Sequence, residues 1–482
     1  MKKKINIVLA AMLMILAWSC SKDVMDDINK NINDPTNVSA NLIITDAMIT
    51  SAFSITGSDL AFYASIYMEH NVGVWNQGYS AEIRTGEPIS ATTYNNSWNT
   101  IYNNLYNLKT IIDKCSEDGE EPDNYYTLGI AQTLMAHNLA TLTDLMGDVP
   151  WSEALQPGFI YTPKLDKQED IYAIVFNLLD AAIENFNKES IIFLGNQDFI
   201  YSGNAASIKN WEKFAYGLKA RYTMRLSLKN EQYAKVIEYA NKSFASSSEQ
   251  AQLKYNGSTM ISPFYKFFTD RDYFGASTSF YNKLNDRNDP RLDVFWEAHP
   301  KADDFLLTPN GSPDQVQGIY AISAISNPEA PTYLLSYHEI EFLKAEAFSR
   351  MGNTNDAKDA LKKAIVAAFK KVNVGLTADD AEAYFDAEVV PRFNSNAISE
   401  IMNQKYFAFF EEEAIEAYND YRRLRALGND VIQLANPKNA DRFPHRYTYG
   451  NSDVTTNFNV REAYGDGSYV FTEKVWWAGG SR

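Results

Sequence analysis

The sequence predicts a mainly α-helical protein in which tetratricopeptide-like helix pairs form a scaffold that carries long irregular loops. Three observations lead there. Apolar residues recur at three- and four-residue steps in several long segments. One pair of these segments carries small residues at the spacing of a helix-pair repeat. Between the periodic segments lie extended passages rich in Asn, Ser, Gly and Pro.

The first periodic stripe is Trp98, Ile101, Tyr102, Leu105, Leu108 and Ile112, which places Trp98 in the core. Leu134, Leu139, Leu142 and Leu145 form the second, and Glu169 to Phe186 and Trp211 to Leu228 behave alike. Tyr337 to Arg350, Asp356 to Lys370 and Ile398 to Leu427 complete the strong helices. In the pair 337–370, Ala345, Phe348, Ala357, Leu361 and Ala364 make the seam, and Gly352 falls at the turn. Small residues let two helices approach closely, and Phe348 and Leu361 fill the gap. Residues 233–244, "YAKVIEYANKSF", read as the second helix of a similar unit. Such pairs stabilise by stacking and expose surfaces for partners. The loop-rich passages are 70–97, 189–209, 247–335 and 428–482, and connections of that length are usually functional.

The amino end carries a different signal. Lys2, Lys3 and Lys4 precede an uninterrupted apolar run from Ile7 to Trp18. As a helix that run spans about 18 Å, short of the ~30 Å hydrocarbon core of a bilayer. It fits the h-region of a secretory signal, with small Ala17 and Ser19 just before Cys20. The chain has two cysteines, Cys20 and Cys115, too few for a disulfide framework. The arrangement resembles a bacterial lipobox, so residues 1–19 are expected to be a signal peptide and Cys20 the lipidated first residue of a single domain, 20–482. Stable anchoring takes more than one acyl chain. The stretch "SKDVMDD" after Cys20 resembles the acidic signal that sends some Gram-negative lipoproteins to the outer face of the outer membrane. No later apolar run approaches spanning length.

Composition narrows the function. The formal net charge is −17, and loss of the three amino-terminal lysines makes it more negative. Such a surface repels phosphate backbones, which excludes nucleic acid as a partner. With 45% hydrophobic residues, 30 Tyr, 27 Phe and eight Trp, the chain can build a large core. Catalytic signatures are missing: there is no G-x-S-x-G, H-E-x-x-H, C-x-x-C or phosphate loop. Gly73 and Gly78 have phosphate-loop spacing, but Tyr79 stands where Lys is required. His70, His137, His299, His338 and His445 are scattered, so no metal site and no cofactor are expected. Glu411, Glu412 and Glu413 point three ways on a predicted helix and read as a solvated face.

Four passages in fixed order carry a resemblance: "GDVPWSEA" (147–154), "NDPRL" (288–292), "SYHEIEFLKAEAFSRMG" (336–352) and "NQKYFAFFEEEAIEAYNDYRRL" (403–424). With the lipobox, and the closing "RFPHRYTYG" and "VWW", the chain resembles the SusD/RagB family of surface lipoproteins, nearer its SusD-like branch. The resemblance implies a SusD-like fold and a binding protein rather than an enzyme. It implies a nutrient oligomer as ligand, mostly a glycan and in some cases a peptide. It also implies a SusC-like TonB-dependent outer-membrane transporter as partner, capped by this protein as by a hinged lid. The four motifs look like scaffold elements rather than ligand contacts.

Sugars offer flat C–H faces to aromatic rings and hydroxyls to amides and charged groups. On that chemistry, "NVGVWNQGY" (71–79) presents Trp75, Asn76, Gln77 and Tyr79 in a loop loosened by glycine. "FTDRDYF" (268–274) presents Asp270, Arg271, Tyr273 and Phe274, and Trp296 follows. Each ring could equally plug the core. Two rival classes stay open: a surface glycoside hydrolase with paired carboxylates, and a tetratricopeptide adaptor that binds only proteins.

Overall fold

In a computed structural model the chain is described over residues 38–202, 205–372 and 375–482. The signal segment and Cys20 lie outside these residues. The described chain is built mainly of helices, with four two-stranded antiparallel ribbons.

The periodic segments form helices close to their predicted bounds. Asn95–Cys115 packs on Tyr125–Met146, and Tyr125–Met146 on Gln168–Phe186. Ala205–Arg225 packs on Tyr233–Lys242, the predicted second helix of a repeat unit. The seam of the repeat is as the spacing requires: Tyr337–Arg350 lies against Thr354–Val372. Ala345, Ala357, Leu361 and Ala364 are fully buried there, and Phe348 is half-buried. Gly352 makes the turn at φ 80°, a conformation that carries no steric cost for glycine. Ser336 caps the first helix by accepting the Glu339 N–H at 3.2 Å. Trp98 is buried, and its indole N–H donates to Asp453 Oδ2 at 2.8 Å.

Buried ion pairs tie the sequence motifs together. Arg423 of the fourth motif donates to both Glu346 oxygens on the first helix of the repeat, at 2.8 and 2.6 Å. Arg221 Nε donates to Glu339 Oε1 at 2.7 Å, and Arg225 Nη1 to Asp144 Oδ2 at 2.9 Å. In "NDPRL", Arg291 Nε bonds Asp289 Oδ1 at 2.9 Å, and Nη2 reaches Gln404 Oε1 at 2.7 Å. Removing one partner of such a pair strands a buried charge at a cost of about 3–5 kcal/mol. These motif residues are scaffold.

Two expectations fail in the fourth motif. The predicted helix 398–427 is two helices, Ala397–Ala408 and Ala414–Ala426, parted by a turn in which Glu411 has φ 69°. The three glutamates in that turn are buried rather than solvated. Each has a partner that offsets its desolvation. Asn71 Nδ2 donates to Glu411 Oε1 at 3.0 Å. Lys371 Nζ lies 3.0 Å from both Glu412 and Glu413, and His338 Nε2 is 2.6 Å from Glu413. Burial raises the Glu411 carboxyl to about 8. Burial opposes ionisation of Glu413 as well, but His338 and Lys371 override it and hold that carboxyl low.

Candidate functional site

The segments 71–79 and 268–274 are far apart in sequence, and a ribbon joins them. Asn71–Gly73 pairs antiparallel with Phe274–Ala276, and the Val74 N–H donates to the Tyr273 carbonyl at 2.8 Å. The predicted glycine-loosened loop is instead this strand followed by the short helix Asn76–Glu82. Its glycines tighten the chain: a Cβ on Gly73 would stand 1.9 Å from the Gly78 carbonyl oxygen. Residues 263–271 form a helix, and Asp272, at φ 53°, turns the chain into the strand.

The turn-and-ribbon geometry sets Asn76 against Tyr273, with Asn76 Nδ2 donating to the phenol oxygen at 3.2 Å. Together with Gln77, Arg271 and Phe274 they line a cavity of about 400 Å³. The rest of the lining adds groups that the sequence did not single out, among them Asp59, Tyr63, Glu87, Thr93 and Asn96. Glu87 Oε2 accepts from Thr93 Oγ1 at 2.8 Å and from Tyr63 at 3.2 Å. Burial raises the Asp59 carboxyl. These residues sit on or beside helices, where no local composition sets them apart. The cavity thus combines amides, carboxylates, hydroxyls and one exposed guanidinium beside the rings of Tyr273 and Phe274, the set that grips a ring of hydroxyls.

Other predicted residues lie elsewhere. Trp75 directly precedes Asn76 and is 36% exposed, but its side chain is not among those lining the cavity. Tyr79 is half-buried in the short helix. Asp270 faces outward, paired with Lys266 at 2.8 Å. Trp296 is 7% exposed and packs among Phe280, Phe295 and Phe410. Its assignment as a ligand contact is corrected: the ring is a core plug.

A larger depression, about 1030 Å³, runs beside Tyr106, Trp151 and Phe159, and none of the predicted site residues line it. Convergent polar groups, rather than volume, favour the smaller cavity. Among the described residues no cluster of three or more His, Cys, Asp or Glu could hold a metal, and no helix is long and apolar enough to cross a membrane.

A family model described as "Starch-binding associating with outer membrane" matches residues 32–450. The chain belongs to the SusD-like family. Its SusD-like fold is shared with a solved SusD/RagB family protein from Bacteroides thetaiotaomicron, 43% identical, with a TM-score of 0.88 over 92% of this chain and 100% of that one. A chitin-binding SusD homologue from Flavobacterium johnsoniae is 18% identical, with a TM-score of 0.71 over 91% of this chain and 98% of its own. A SusD homologue from Bacteroides fragilis is 20% identical, with a TM-score of 0.69 over 92% of this chain and 100% of its own. At those identities the last two speak for the fold alone. No curated protein matches the chain. SusD-like proteins are outer-membrane-associated binding proteins, not enzymes.

Proposed function

We propose that this SusD-like protein captures a glycan oligomer in the cavity between Asn76 and Arg271 and delivers it to a SusC-like TonB-dependent transporter. The observation that carries the reading is the convergence of Asn76, Gln77, Arg271 and Tyr273 with Asp59 and Glu87 in one concave site. Directional polar groups beside a ring suit a sugar better than an extended peptide, which recruits main-chain pairing. The starch-binding description of the family supports a polysaccharide fragment as the class. Trp75, adjacent in sequence, and Tyr79 and Asp270 are proposed as outer contacts for further sugar units. Cys20 is proposed as the lipid anchor of a single domain, 20–482, that faces the extracellular side.

Array binding to pooled glycans and peptides, run with wild type and Arg271→Ala, tests the ligand class. Glycan binding that Arg271→Ala weakens supports it, and binding of peptides alone refutes it. Mild detergent extraction of the lipidated protein should co-purify a TonB-dependent barrel. Recovery of the protein alone across several detergents counts against the delivery role.

A further inference from the structure

A second polar groove runs along the outer face of the Thr354–Val372 helix. It consists of two adjoining depressions, about 510 and 320 Å³, that share Ser247, Ala367 and Lys370 in their lining. It shares no lining residue with the cavity between Asn76 and Arg271. The deeper end has a built floor. Lys371 is buried over the Tyr333 ring, 5.2 Å from its centroid, and 3.0 Å from Glu412. Glu412 is more than nine-tenths buried and lines the groove, and its Oε2 is the oxygen that faces Lys371. That ion pair offsets the desolvation of both charges and holds the floor in place. Gln250, Gln252 and Asn327 bring amides to the same wall. At the shallow end stands the half-buried ring of Tyr337.

The charges along this groove cancel. Lys371 faces Glu412, Lys362 faces Glu382 at 2.9 Å, and Lys363 faces Asp359 at 2.6 Å. Lys370 and Glu329, both exposed, add one charge of each sign. An ionic ligand therefore gains little here, and a protein partner would ask for an interface core depleted of charge. What remains is an elongated groove of amides, hydroxyls and paired charges with a tyrosine ring at each end. We propose that this groove is a second saccharide-binding site, for a chain of neutral sugar residues. It rests on the glycan reading of the first cavity, and would let one molecule hold a polymer at two points.

The test is calorimetry with maltoheptaose and chitohexaose on wild type, Arg271→Ala, Gln252→Ala/Asn327→Ala and Lys370→Trp. Lys370 is an exposed helix position at the junction of the two depressions, so a Trp there obstructs the groove without disturbing the core. Wild type should bind two molecules of one probe. Each groove variant should reduce that to one, with the second site at least tenfold weaker, and Arg271→Ala should keep the groove site. A single site, lost in Arg271→Ala and untouched in both groove variants, overturns the inference and leaves the glycan reading standing. Failure of wild type to bind either probe overturns both.

Discussion

Truncating Arg271 separates binding from folding more cleanly than any other change at the cavity. The residue ends the Pro263–Arg271 helix with its side chain exposed, and its carbonyl accepts from Gln317 Nε2 at 2.6 Å. That bond survives the change to Ala. The folded state loses a helix-dipole interaction of about 0.3–1 kcal/mol, partly offset because Ala favours the helix. For a chain this long, a loss of that size moves the melting temperature by roughly 1 °C. A ligand hydroxyl held by the guanidinium loses a charge-assisted bond of about 1.5–3 kcal/mol. Taking ~2 kcal/mol, affinity falls roughly thirtyfold. Arg271→Lys keeps the charge but not the planar fork, so it should recover only part of the loss. Calorimetry with the best-binding oligomer beside thermal melts reads both quantities. Unchanged affinity in a protein that melts normally refutes the cavity as the ligand site.

Other outcomes follow from the same structure. Trp75→Ala should weaken glycan binding by about 2 kcal/mol, as a stacking hot spot would; a lower melting temperature with unchanged affinity assigns the ring to packing instead. Trp296→Ala should destabilise the fold by about 3–5 kcal/mol and leave the affinity of the folded fraction unchanged, which denaturant titration and calorimetry check together. The Glu411 carboxyl, raised to about 8 by burial, favours the neutral form in the folded state. Its stabilisation is complete below the unfolded value of about 4.3 and is lost as pH rises through about 8. The buried His70 and His137, lowered to about 3 and about 4, act in the opposite sense, but only below about pH 6.5. From about pH 7 to about pH 9 the wild-type melting temperature should therefore fall more steeply than that of Glu411→Gln, and equal slopes refute the assignment.

The sequence by itself determined the helices, the repeat seam and the family. Apolar period reports which side of a helix is buried, and Ala345, Ala357, Leu361 and Ala364 carry that information locally. A third of the cavity's lining was singled out too, because Asn76, Gln77, Arg271, Tyr273 and Phe274 have the composition of a sugar contact. That they meet was not legible. It depends on the pairing of Asn71 with Ala276 and of Gly73 with Phe274, a long-range register that no local pattern encodes. Asp59, Glu87 and Asn96 joined the site for the same reason, brought in by chain that passes nearby. Trp296 shows the converse, since a ring in a loop-rich passage looks the same in sequence whether it faces solvent or, as here, Phe280 and Phe410. The three glutamates make the point most sharply. Three consecutive charges read locally as solvent-facing, and only Asn71, Lys371 and His338, supplied from elsewhere in the chain, make their burial affordable.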